Sequence, residues 1–150
     1  MLDKWAFIDK FREAIYSDDD TINNFTTVIT ILRRQKSDMD ISDIDEIVDD
    51  TVNKVSARIN WIDTKLIPFE TTAIDINKRM IAKINDTIQK IKQTPPDQQT
   101  PSDQQKIKYL KNTKSVFENE LAGYQQKLDS LSKIKSFLEK QPEILNDLKH

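Results

Sequence analysis

Residues 94–105 read Thr94-Pro95-Pro96-Asp97-Gln98-Gln99-Thr100-Pro101-Ser102-Asp103-Gln104-Gln105, a hexapeptide written twice with one position changed. Proline-rich polar sequence cannot bury enough apolar surface to fold inward, and a segment that accepts duplication belongs at an exposed tip. The second copy also reads as a helix start, with Thr100 as N-cap, Pro101 at the first helical position and Asp103 at the third. The chain therefore turns back here, near Asp97 to Gln99.

Both arms are helical by pattern. Upstream, Val52, Val55, Ile59, Ile62, Leu66, Phe69, Ala73, Ile76 and Met80 alternate spacings of three and four, which is a heptad seam. Pro68 removes one backbone hydrogen bond inside it, so a kink is expected between Lys65 and Phe69, with the seam in the same phase on either side. A second column, Ile67, Ile74, Ile81 and Ile88, runs beside the first and makes the face too wide for one neighbour. Downstream, Ile107, Leu110, Phe117, Leu121, Tyr124, Leu128, Leu131 and Leu138 repeat the pattern, flanked by Tyr109, Val116 and Phe137.

Two such helices joined by a short polar connection pack antiparallel, which sets Ile88 roughly opposite Ile107 and Phe69 opposite the region of Gln125. The surplus columns then have to meet the N-terminal helices or another subunit. Gly123, the one glycine of the chain, falls mid-helix beside the downstream seam, where it costs roughly 1 kcal/mol relative to Ala. Close approach of a neighbouring backbone is the expected reason.

Ahead of the hairpin, Phe7, Ile8, Phe11, Ala14 and Ile15 share one helical face, while Leu2, Trp5 and Tyr16 cluster on the opposite one as a smaller apolar patch. A second stripe follows at Ile22, Phe25, Val28, Ile29 and Leu32, with Arg33, Arg34 and Lys36 placed to offset the negative end of the helix dipole. Pro142 opens a short terminal helix carrying Ile144, Leu145 and Leu148.

Composition agrees with this plan. At 37% hydrophobic and 32% charged, the chain holds less apolar material than most globular domains, which suits long helices with one apolar stripe. A single glycine disfavours sheets, tight hairpins and phosphate-cradling loops. With no cysteine there is no disulfide framework, thiolate metal site or thiol nucleophile. The formal charge of −2 argues against bulk attraction to nucleic acid, although Asp18 to Asp50 is acidic and Lys78 to Lys140 moderately basic.

Chemistry finds little to stand on. The only histidine is residue 150, and the carboxylates lack the helical Glu-x-x-His pairing of di-iron sites. Asp38 to Asp49 imitates the opening of a calcium-binding loop, yet Asp43 replaces the turn glycine and Asp49 the bidentate glutamate. That run reads as a solvated acidic linker capping a helix. Lys106, Lys108, Lys111 and Lys114 around Tyr109 read as a solvated helix face.

The sequence thus predicts an all-α fold: an elongated helical bundle built on a long antiparallel coiled-coil-like hairpin with two shorter N-terminal helices. It forms one helical domain over 1–150, with helices near 2–16, 19–36, 42–93 (kinked at Pro68), 101–140 and 142–149 and a loop at 94–100. The expected function is a non-enzymatic interaction module, a scaffold, adaptor or assembly subunit, that binds other helices through its heptad faces. Leu2, Trp5, Tyr16, Ile67, Ile74, Ile81, Tyr109, Val116 and Phe137 are the candidate protein-binding residues. The expected partner is a protein, either a second copy or another helix. No catalytic residue, metal, cofactor, nucleic acid or small-molecule substrate is expected, and a membrane is not the anticipated target. The alternative is a secreted bacterial effector or helical toxin-like component acting on a host protein or membrane. The N-terminus has no signal-peptide h-region, so the cytoplasm is the expected compartment, with signal-less secretion the alternative.

Overall fold

A computed structural model of the chain describes residues 1–149; His150 lies outside the described residues. The protein is all-α, with α1 (Lys4–Ile15), α2 (Thr21–Gln35), α3 (Ile41–Trp61), α4 (Ile67–Lys92), α5 (Pro101–Glu139) and α6 (Gln141–Asp147). It divides into two compact units, one of residues 1–67 with the segment from Ser130 onward, the other Pro68–Asp129.

The first unit closes around an apolar core. Phe7, Phe11 and Ile15 of α1, Phe25 and Leu32 of α2, Ile47, Val48 and Val55 of α3, Leu138 of α5 and Leu145 of α6 are all fully buried. α1 packs on α2 and α3, and α6 on α3. Phe25 sits at the centre, 5.1 Å from the Phe11 ring and edge-on to Phe137 at 5.8 Å. The local signals are those of ordinary caps and turns. Asp3 Oδ1 accepts from the Ala6 N–H at 2.8 Å and starts α1. Between α1 and α2, Asp18 takes a left-handed φ of 53°, a conformation Asp tolerates better than most residues.

The second unit is the hairpin. Its connection follows the duplicated hexapeptide, but the two copies fold differently. The first copy makes a short 3₁₀ turn at Pro96–Gln98, closed by the Gln98 N–H on the Pro95 carbonyl at 2.8 Å. The second begins α5 with a reciprocal capping box: Asp103 N–H donates to Thr100 Oγ1 at 3.1 Å, and Thr100 N–H to Asp103 Oδ2 at 3.0 Å. The antiparallel register is fixed by buried Asn77, whose Nδ2 donates to the Phe117 carbonyl at 3.4 Å. That pair is centred on residue 97, the same centre that Ile88 and Ile107 require to within half a residue.

Pro68 is accommodated differently from the expected in-phase kink. Ile62–Leu66 forms a π turn joining α3 to α4, in which the Ile67 N–H reaches back five residues to the Ile62 carbonyl. Thr64 Oγ1 donates to the Asn60 carbonyl at 2.7 Å, satisfying an acceptor where the regular ladder is disturbed. A π turn holds one residue more than an α turn, so every position after it is rotated by roughly 100° relative to the heptad count before it. The predicted seam therefore does not continue. Ile62 is buried, but Phe69 and Ile76 are exposed, and the buried positions of α4 are Ile74, Asn77, Ile84 and Ile88. The column read as surplus has become the seam, and the seam has become the surplus.

Candidate interaction surface

The buried and half-buried residues assign heptad positions directly. Ile67, Ile74, Ile81 and Ile88 occupy the a positions of α4, with Glu70, Asn77, Ile84 and Ile91 at d. Ile107, Thr113 and Lys114, Phe117, Leu121, Tyr124 and Leu128 continue the covered face on α5. In an antiparallel pair the g positions of both helices line one side of the seam and the e positions the other. The two sides are unlike. At g, Ala73, Met80, Thr87, Thr113 and Lys127 are half-buried while Lys106 and Glu120 are exposed, whereas at e, Lys78, Asn85, Lys92, Lys111, Glu118 and Gln125 are all exposed.

Immediately outside the g positions lie the c positions, which carry Phe69 and Ile76 on α4 and Tyr109, Val116 and Gly123 on α5. The four large side chains are between 51% and 68% exposed. They form two exposed apolar columns, Phe69 and Ile76 on α4 and Tyr109 and Val116 on α5, with Gly123 continuing the second. Gly123 was expected to admit a neighbouring backbone, but no atom lies within 4 Å of where its Cβ would stand. No contact inside the chain calls for a glycine at this point.

The predicted binding residues are scattered by the fold. Ile74 is buried and Ile67 and Ile81 are half-buried, so this column faces inward instead of toward a partner. The π turn is the reason. Leu2 packs against the core of the first unit, its backbone clamped by the Gln35 side chain at 3.2 and 3.3 Å, and Phe137 packs against the same core. Trp5 and Tyr16 remain exposed, each with a cation over its ring: Lys4 Nζ at 4.7 Å and the Arg58 guanidinium at 4.9 Å. Tyr109 and Val116 are exposed together on one face. Sequence reading placed Phe69 and Ile76 in the seam, whereas both are exposed; the available signal was Pro68, which marks a fault in the helix without giving its size.

The first unit holds an open cavity of about 580 Å³ lined by Arg33, Lys36, Ser37, Ile41, Ile44, Asp45 and Lys149. Lys149 is already engaged by Asp49 at 2.6 Å, and this hydrogen bond raises its pKa above 10.5. Glu46 does the same to Lys4 and Asp63 to Lys135. Among the described residues no group of His, Cys, Asp or Glu could hold a metal ion, and no helix is long and apolar enough to cross a membrane. The chain matches no family model, no curated protein and no solved structure at a significant level.

Proposed function

We propose that this chain is a non-enzymatic helical interaction module, a scaffold, adaptor or assembly subunit, that docks another helix against the open side of its hairpin. The observation that supports this reading is the exposure of four large apolar side chains on the hairpin, Phe69 and Ile76 on α4 and Tyr109 and Val116 on α5. Two antiparallel helices present two sides of a bundle, and a third helix laid along them completes the packing. Tyr and Phe are the side chains that dominate such contacts, because each buries a large area for few rotatable bonds. No nucleic acid or small-molecule substrate belongs to this reading, and the cytoplasm is its compartment.

The test is a titration of labelled amphipathic helical peptides, each with a continuous leucine stripe, followed by fluorescence anisotropy. Saturable binding that disappears in the Val116→Asp chain supports the module. If no peptide binds at micromolar concentrations and the chain stays monomeric across that range, the reading fails.

A further inference from the structure

We infer that one side of the distal half of the hairpin is a docking face for duplex nucleic acid, held through the phosphate backbone without recognition of bases. The chain total of −2 conceals the unevenness that carries this. Between Lys78 and Lys114 stand nine Lys or Arg against three Asp, a local charge of +6, which leaves −8 for the rest of the chain. Exposed charges more than about 10 Å apart are largely screened at 0.1 M salt, so the local balance sets the attraction. Eight of the nine cations are exposed, and among the described residues the ion pairs of this stretch are confined to Lys114 with Glu118 at 3.9 Å.

The positions of these charges select a face. Next outward from e lie the b positions, and between Lys78 and Lys111 the e and b positions hold Lys78, Lys92, Lys108 and Lys111 with the amides of Asn85 and Gln89, all exposed. No carboxylate stands among them. Asp86 is at f, Asp97 in the 3₁₀ turn and Asp103 in the capping box with Thr100, while Asp75 and Glu118 bound the face on the side away from the tip. In the register that pairs Asn77 with Phe117, Lys92, Lys108, Lys111 and Lys78 follow one another away from the tip. They span about 21 Å at 1.5 Å per residue, the rise of about six base pairs.

A face of lysines and amides complements a regular row of phosphates. It lacks what other anionic partners need. None of the exposed large apolar side chains stands at e or b, so nothing there enters an acyl layer or anchors in a protein pocket. No aromatic ring is present for unpaired bases to stack on, which favours a duplex over a single strand. Lysine, a point charge without the planar fork of arginine, suits phosphate contacts more than bidentate base recognition. The inference goes beyond the interaction-module reading, whose exposed apolar columns stand at c.

The experiment titrates a fluorescein-labelled DNA duplex of roughly 20 base pairs with the full chain, read by anisotropy at about 50 and about 200 mM salt. Four phosphate contacts predict a slope of about −3.6 in log K against log salt, an affinity loss on the order of a hundredfold between the two conditions. The Lys92→Gln/Lys108→Gln/Lys111→Gln chain is expected to bind at least about tenfold more weakly at the lower salt. Lys83→Gln/Lys90→Gln/Lys106→Gln makes the same change of charge at c and g, and is expected to change affinity by less than about threefold. All six positions are exposed, and circular dichroism checks that the helix content is kept.

Absence of binding at about 100 µM chain in the lower salt overturns the inference, as does binding that salt leaves unchanged. Equal weakening by the two triple variants overturns the assignment to this face. Phosphatidylserine vesicles that displace the duplex and are themselves bound more tightly would make an anionic membrane the occupant, and tighter binding of the single strand would remove the duplex. Each of these results leaves the helical-peptide test of the module reading untouched, because that test reads binding to an uncharged leucine stripe.

Discussion

The two units solve the same problem with opposite results. The first packs α1, α2, α3, α6 and the end of α5 around Phe11 and Phe25, while Trp5, Tyr16, Ile41 and Trp61 stay exposed at its surface, the first two with a cation over the ring. The second has only two helices, so its seam of Ile74, Ile84, Ile88 and Ile107 is buried on one side of each helix, and Phe69, Ile76, Tyr109 and Val116 are left in water. A two-helix section cannot enclose a face wider than a and d, and both arms carry one. The first unit holds the larger buried core and the second a narrower seam.

Substitutions at matched apolar positions should separate the two units. The largest effect is expected from Phe25→Ala, which empties the centre of the first unit and costs on the order of 3–5 kcal/mol in urea unfolding. Val116→Asp, also a large change of chemistry, should leave the midpoint within about 0.5 kcal/mol because the site is already wet. A similar loss from both would erase the contrast.

Asn77→Asp comes next. It puts a carboxylate beside the Phe117 carbonyl in a nearly dry seam, and a loss of about 1–3 kcal/mol is expected, read as faster amide exchange in α4 and α5. Asn77→Leu, which removes the polar group altogether, should be neutral or stabilising.

Thr100→Ala removes half of the capping box and should cost about 1 kcal/mol, with exchange accelerated in the first turn of α5. Thr94→Ala, in the other copy of the hexapeptide, should change little, since no capping box forms there. Gly123→Ala sharpens the contrast from the other side. With open space around the added methyl, it should raise hairpin stability by about 1 kcal/mol while weakening peptide binding. Unchanged binding would mean that no backbone approaches there.

The smallest effect concerns pH. Lys4, Lys135 and Lys149 have pKa values raised above 10.5 by their carboxylate partners, so these pairs stabilise fully below the unfolded value and are lost only as pH rises through the folded one. All three pairs are solvated. They should therefore add no slope to thermal stability between about pH 6 and 9.

Much of the fold was legible because helices announce themselves by period, cap and stop. The stripes of α1 and α2, the turn of the duplicated hexapeptide, the Thr100 cap and the register near residue 97 all follow from local chemistry. What could not be read was the phase of α4. Heptad counting assumes a constant number of residues per turn, and Val52 through Met80 satisfies that count without a gap. The π turn at Ile62–Leu66 breaks the assumption where Pro68 already weakens the ladder, and one extra residue exchanges the roles of two columns. Of the candidate binding residues, Trp5, Tyr16, Tyr109 and Val116 are exposed, while Ile67, Ile74 and Ile81 lie on the seam side of α4. The neighbouring backbone expected beside Gly123 is absent, since no atom lies within 4 Å of where its Cβ would stand.

The most direct test of the re-phased helix uses the absence of cysteine as a clean background. Single substitutions Ile74→Cys, Ile76→Cys, Ile84→Cys and Val116→Cys are labelled with a thiol reagent under native conditions. The account predicts that Ile76→Cys and Val116→Cys react at nearly the unfolded rate, and that Ile74→Cys and Ile84→Cys react at least on the order of a hundredfold more slowly, limited by opening of the hairpin. Protection of Ile76→Cys with free reaction of Ile74→Cys would mean that the original seam continues past Pro68, with Ile76 and not Ile74 facing α5.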